Sequence, residues 1–190
     1  MLKSLMARWL LALTVACCAA PASAEVYHVS IDTSALAGQE AYLDFLLLGL
    51  SSAARATVQI SNLTGDFAAA SFALGDASAN GAQLRIGNGD SWNEYGRWAH
   101  LGGTLSFDAS IDAISGGGAG STLSVTLLDA GLNYLGLQGD YVTFALQPGS
   151  AAAISASAEV SISAVPEPAA YLMFAAGLLL LGLRNVQRRR

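Results

Sequence analysis

The chain has 190 residues, 53% hydrophobic and 12% charged, with a formal net charge of −5. This length fits one domain with appendages, and the apolar content excludes a disordered chain. Residues 25–164 hold three Arg against thirteen Asp and Glu, net −10, which argues against nucleic acid as a partner.

Residues 1–24 read as a secretory signal peptide. Lys3 and Arg8 form the positive start, Trp9 to Ala20 the apolar stretch, and Ala22-Ser23-Ala24 the small-residue cleavage site. The implied handlers are the secretion translocon and signal peptidase, and the mature chain starts at Glu25. An uncleaved anchor is the alternative, but the apolar stretch falls short of the ~20 residues a span needs. Cys17 as a lipoprotein cysteine lacks the leucine expected three positions upstream. Cys17 and Cys18 are the only cysteines. The exported body therefore folds without disulfides and relies on its core.

Residues 25–164 alternate apolar and polar side chains with period two, the mark of half-buried strands. Tyr27, Val29 and Ile31 begin the series. Leu43, Phe45 and Leu47 follow, then Val58 and Ile60, with weaker runs at Phe67–Leu74 and Gln83–Ile86. Leu105, Phe107, Ala109 and Ile111 alternate with Ser and Asp over Thr104 to Ile114. Leu123, Val125 and Leu127, then Val142, Phe144 and Leu146, repeat the pattern, and Ile154 to Ala164 forms one more run. Turn signals such as Gly65-Asp66, Gly75-Asp76, Asn80-Gly81 and Gly139-Asp140 separate them. About eight or nine strands with one dry face each predict an all-β body, an antiparallel β-sandwich of jelly-roll type. The Ala-rich stretches 68–70 and 151–153 are alternatively short helices.

The body displays no active site. His28 and His100 lie far apart with no cysteine near, so a zinc site lacks ligands. His28 is expected in an edge strand. No nucleophile elbow, phosphate loop or dinucleotide fingerprint occurs. The expectation is a non-enzymatic protein without cofactor. The most distinctive stretch is Gly87 to His100, read as a loop. Trp92, Asn93, Tyr95 and Trp98 offer aromatic faces and amides that suit sugar rings. Asp90 and Glu94 are weak Ca²⁺ candidates that miss the EF-hand spacing, and no metal site is assigned. The plainer alternative is that the tryptophans plug one end of the sandwich.

Residues 165–190 are a second address. Val165-Pro166-Glu167-Pro168 precede an uncharged run from Ala169 to Leu183, then Arg184 and Arg188-Arg189-Arg190. As a helix that run reaches only ~22 Å, a marginal span that arginine snorkelling lengthens. The prolines keep the motif extended and unhelical. The basic end belongs on the cytoplasmic side, so the body lies outside.

The order of Val165–Pro168, short apolar helix and terminal arginines resembles the PEP-CTERM sorting signal. That resemblance implies a Gram-negative, exopolysaccharide-producing host and processing by exosortase, a membrane-embedded, cysteine-dependent protease. It makes Val165, Pro166, Glu167 and Pro168 the sorting motif, and Arg184, Arg188, Arg189 and Arg190 the stop-transfer charges. The stretch Val29-Ser30-Ile31-Asp32-Thr33-Ser34 also resembles the start of a group of small PEP-CTERM proteins with no assigned activity. The resulting expectation has three parts: a signal peptide (1–24), an extracellular β-sandwich (25–164) and a sorting signal (165–190) with motif 165–168, helix 169–183 and tail 184–190. Such a protein crosses the inner membrane, is held there transiently, and reaches the surface or a biofilm matrix. The alternative is a carbohydrate-binding module, calcium-dependent or not, using the Trp92–Trp98 loop on exopolysaccharide.

Overall fold

The computed structural model describes residues 24–165, apart from 82, 113 and 115, together with residue 177. The signal-peptide reading, Pro166–Pro168, the expected helix 169–183 and the arginine tail lie outside the described residues. Among the described residues no helix is long and apolar enough to cross a membrane.

Ala24–Val165 forms one unit built from two six-stranded antiparallel sheets. Its strands are β1 (Glu25–Asp32), β2 (Glu40–Gly49), β3 (Thr57–Thr64), β4 (Phe67–Leu74), β5 (Ala77–Asn80) and β6 (Gln83–Gly87). They continue as β7 (Asn93–His100), β8 (Thr104–Ile111), β9 (Ser121–Leu128), β10 (Val142–Leu146), β11 (Ala153–Ala156) and β12 (Val160–Ala164). Sheet A runs β12-β1-β8-β3-β6-β5 and sheet B runs β11-β10-β9-β2-β7-β4. β1 pairs with β8, β2 with β7 and β3 with β6. Those nested pairs are what winding a long hairpin into two sheets produces.

The expected alternation places the core. Val29, Ile31, Phe107 and Ile60 of sheet A and Leu43, Phe45, Leu47, Val125 and Phe144 of sheet B are buried in one cluster. Phe45 meets Phe107 edge-on across the sheets at 5.0 Å, and Tyr27 meets Phe144 at 5.7 Å. The two dry faces thus close on each other, as period-two patterning requires.

Four expectations change. His28 is not on an edge strand, because β12 and β8 flank β1 on both sides. The run Ile154–Ala164 is two strands: β11 ends sheet B, the chain turns at 157–159, and β12 ends sheet A. A constant period cannot show such a change of sheet, because alternation persists through it. The Ala-rich stretches are not helical: residues 68–70 lie in β4 and Ala153 opens β11. The stretch read as a loop is strand from Asn93 onward.

Candidate functional site

The outer faces of the two sheets differ in chemistry. Residues paired across neighbouring strands share a face. On sheet A, the outward set is polar: His28 and Ser30 on β1, Ser106, Asp108 and Ser110 on β8, Gln59 and Ser61 on β3, and Ser161 and Ser163 on β12. His28 Nδ1 and Asp108 Oδ1 lie 2.6 Å apart, and Asn62 Nδ2 donates to Asp108 Oδ2 at 2.7 Å. Partial burial works to raise the Asp108 pKa, but the bonds from Asn62 and His28 win and hold it below the usual carboxylate range.

On sheet B the outward set over β4, β7 and β2 is largely aromatic and aliphatic: Tyr42, Asp44, Leu46 and Leu48 on β2, Glu94, Gly96 and Trp98 on β7, and Phe72 and Leu74 on β4. Toward β9 and β10 the same face turns polar, with Thr122, Ser124, Thr126 and Thr143. Tyr42 touches Phe72 edge-on at 5.2 Å and Trp98 at 4.5 Å, so three rings form one continuous strip. Phe72 lies over Gly96, where an added methyl group would run into its ring. The glycine is therefore needed for the strip to form across β7. Trp92 is 51% exposed and donates its indole N–H to Glu94 Oε2. Trp98 donates its own to Glu40 Oε2 at 3.2 Å. Both indoles are thereby oriented by glutamates.

Beneath the strip sit two buried carboxyls. Asp44 is 3% exposed and Glu94 is 9% exposed. Among the described residues, Asp44 Oδ1 is buried with no hydrogen-bond donor. Two ionised carboxylates are acceptors only and repel; a single proton turns their contact into a hydrogen bond. The Asp44 pKa is accordingly pushed up to about 8, by burial first and then by the charge and hydrogen bond of Glu94, against a lowering bond from Thr126. Burial and the neighbouring Glu94 thus favour a proton held inside the contact between the two carboxyls.

The sequence singled out Trp92, Asn93, Tyr95 and Trp98, and the strand separates them. Trp92 and Trp98 belong to the outer face. Asn93 and Tyr95 pair with Leu47 and Phe45 and face the core. Asn93 is fully buried. Its Nδ2 donates to the Leu47 and Asp90 carbonyls, and its Oδ1 accepts from the Asp76 and Asp90 N–H groups. Asn93 thus ties β7 to β2, to the turn before β5 and to the loop before β7. Asp90 is exposed and sits in that loop, apart from the pair that Glu94 makes with Asp44. Among the described residues, no group of three or more His, Cys, Asp or Glu could hold a metal ion. Tyr42, Asp44 and Phe72 were missed. They lie far from Trp92 in sequence, and only the β2–β7–β4 pairing brings them together. An inward Leu43–Phe45–Leu47 already implied an outward Tyr42–Asp44–Leu46, the one signal available.

Val165, the first residue of the sorting motif, is 38% exposed and donates its N–H to the Val26 carbonyl at 2.8 Å. β12 and β1 are antiparallel. The first and last residues of the body therefore emerge side by side at one end of sheet A.

Residues 164–190 match the family model of the PEP-CTERM protein-sorting motif. The chain thus carries that motif, with exosortase as the implied processing partner and the cell surface or exterior as the implied destination. Comparison with curated proteins and with solved structures finds no match.

Proposed function

We propose that this chain is a non-enzymatic exported protein whose body is delivered to the cell surface or extracellular matrix by cleavage at Pro166–Pro168. The observation that carries the reading is the sorting motif at residues 164–190. The body agrees with it. A signal peptide before Glu25 and a membrane-directed segment after Val165 both leave from one end of sheet A, as two attachments to one membrane demand. Signal peptidase removes the first and exosortase the second. The arginines Arg184 and Arg188–Arg190 hold the C-terminus on the cytoplasmic side until then. The test replaces Pro166, Glu167 and Pro168 by alanine in the host. The wild-type body leaves the membrane fraction, and the variant stays there at full length. Equal release of both would refute the role of the motif.

The asymmetry of the two sheets favours a second reading: the outer face of sheet B contacts a neutral exopolysaccharide. The ring faces of Trp92, Trp98, Tyr42 and Phe72 suit the C–H faces of sugars, and the exposed Glu40 carboxylate supplies an acceptor. A glycan array with the mature body reads this directly. Trp92→Ala and Trp98→Ala lower binding about tenfold or more, on the scale of losing one aromatic anchor. Binding that persists unchanged in both, or is absent from the wild type, removes it.

A further inference from the structure

β12 is both the outer strand of sheet A and the lead-in to the sorting motif. The last backbone bond of the sheet, from the Val165 N–H to the Val26 carbonyl at 2.8 Å, is made by the first residue of that motif. Immediately before it, Ala164, Ser163 and Ile162 are paired with Tyr27, His28 and Val29. A protease receives its substrate as an extended strand lying in a cleft, with main-chain bonds to the cleft walls. A paired strand lies only about 4.8 Å from its neighbour, which leaves no room for a wall between β12 and β1.

We propose that β12 is a detachable strand: it unzips from β1, from Val165 back toward Val160, to enter the exosortase cleft, so that the folded body gates its own sorting. The inference rests on the sorting reading above. The strand is suited to this. Among the described residues it has a neighbour on one side only, and Ser161, Ser163 and Ala164 are exposed while Val160 and Ile162 are half-buried. Such weakly packed edges open locally at low cost. β1 keeps its pairing with β8 along its whole length, from Glu25↔Ile111 to Asp32↔Thr104, so the core stays shut. The far end of β12 is fastened by Asp32 N–H to the Glu159 carbonyl at 2.9 Å and by Val160 N–H to the Ser157 carbonyl at 3.2 Å, which limits the opening. After the cut the stub returns to β1 and completes the sheet again.

A reversible lock tests this. His28 and Ser163 face each other on the exposed side of β1 and β12. Such a pair has Cα atoms roughly 5.5 Å apart, within disulfide range. The mature body has no cysteine of its own. The His28→Cys/Ser163→Cys chain from Glu25 to Arg190, with residues 1–24 removed, is placed in host membranes, its disulfide is confirmed by non-reducing mass, and cleavage is timed against wild type. Cleavage follows the opened population, so the locked chain is cut at least about tenfold more slowly. Reductant restores the wild-type rate with every residue unchanged, which excludes altered recognition. Ser30→Cys/Ser161→Cys, two residues further from the motif, slows cleavage less. A confirmed disulfide at 28–163 with cleavage at the wild-type rate overturns the proposal. A wild-type chain that is never cut in the same membranes instead overturns the sorting reading itself.

Discussion

Asp44 is the residue whose environment departs furthest from its ordinary one. It is buried beside Glu94, and its pKa is pushed up to about 8, by burial first. The folded chain therefore keeps a proton over a range where the unfolded chain has lost it. Stability falls as pH rises from about 4, the unfolded value, to about 8. Asp44→Asn keeps the shape and removes the titration. Thermal melts should show the wild type losing Tm against this variant from pH ~5 to pH ~9, the gap being widest at the alkaline end. Parallel curves would mean that the two carboxyls do not share a proton. The opposite sign holds at Asp32 and Asp129, whose pKa values are lowered chiefly by backbone N–H groups of Ser34 and Asn133. Their contribution is present above the usual carboxylate range and is lost on acidification. Asn93 makes a different prediction. Asn93→Ala strands two carbonyls and two N–H groups in or near the interior and costs about 3 kcal/mol, or about 10 °C in Tm. A loss below about 1 kcal/mol would show that water takes over those bonds.

At the scale of elements, β7 decides what the aromatic residues do. Its inward positions are Asn93, Tyr95, Arg97 and Ala99, two of them strongly polar, so alternation is hidden and Gly87–His100 looks like a loop. Once β7 is a strand, Trp98 and Glu94 share a face and Tyr95 leaves it. Gly96→Ala then becomes informative, because its methyl group displaces the Phe72 ring and breaks the strip. Its melting point drops, and any glycan binding falls without loss of either tryptophan. Unchanged binding would place the ligand nearer Trp92 than the Tyr42–Phe72 end. Other strands were plain in the sequence. Leu105–Ile111, Leu123–Leu127 and Val142–Leu146 alternate cleanly because each has one face in the core and one in solvent. β5 was missed because Ala77–Asn80 buries little and has no apolar period to display. The carboxyl pair could not be read from the chain, since Asp44 and Glu94 meet only through the β2–β7 register.

At the scale of the molecule, the nested winding sets where the ends go. β1 begins right after the expected leader cut, and β12 ends at Ala164, two positions before the Pro-Glu-Pro segment. Their pairing brings Glu25 and Val165 to one end of sheet A. The address at the C-terminus was legible because it is a linear signal of fixed order. The coupling of that address to the fold was not, because it depends on which strand β12 pairs with. The most direct test is the intact mass of the native protein from its own host, measured separately in membrane and extracellular fractions. An extracellular chain that begins at Glu25 and ends within Val165–Pro168 is the predicted result. A chain that stays in the membrane and runs to Arg190 in both fractions would contradict it.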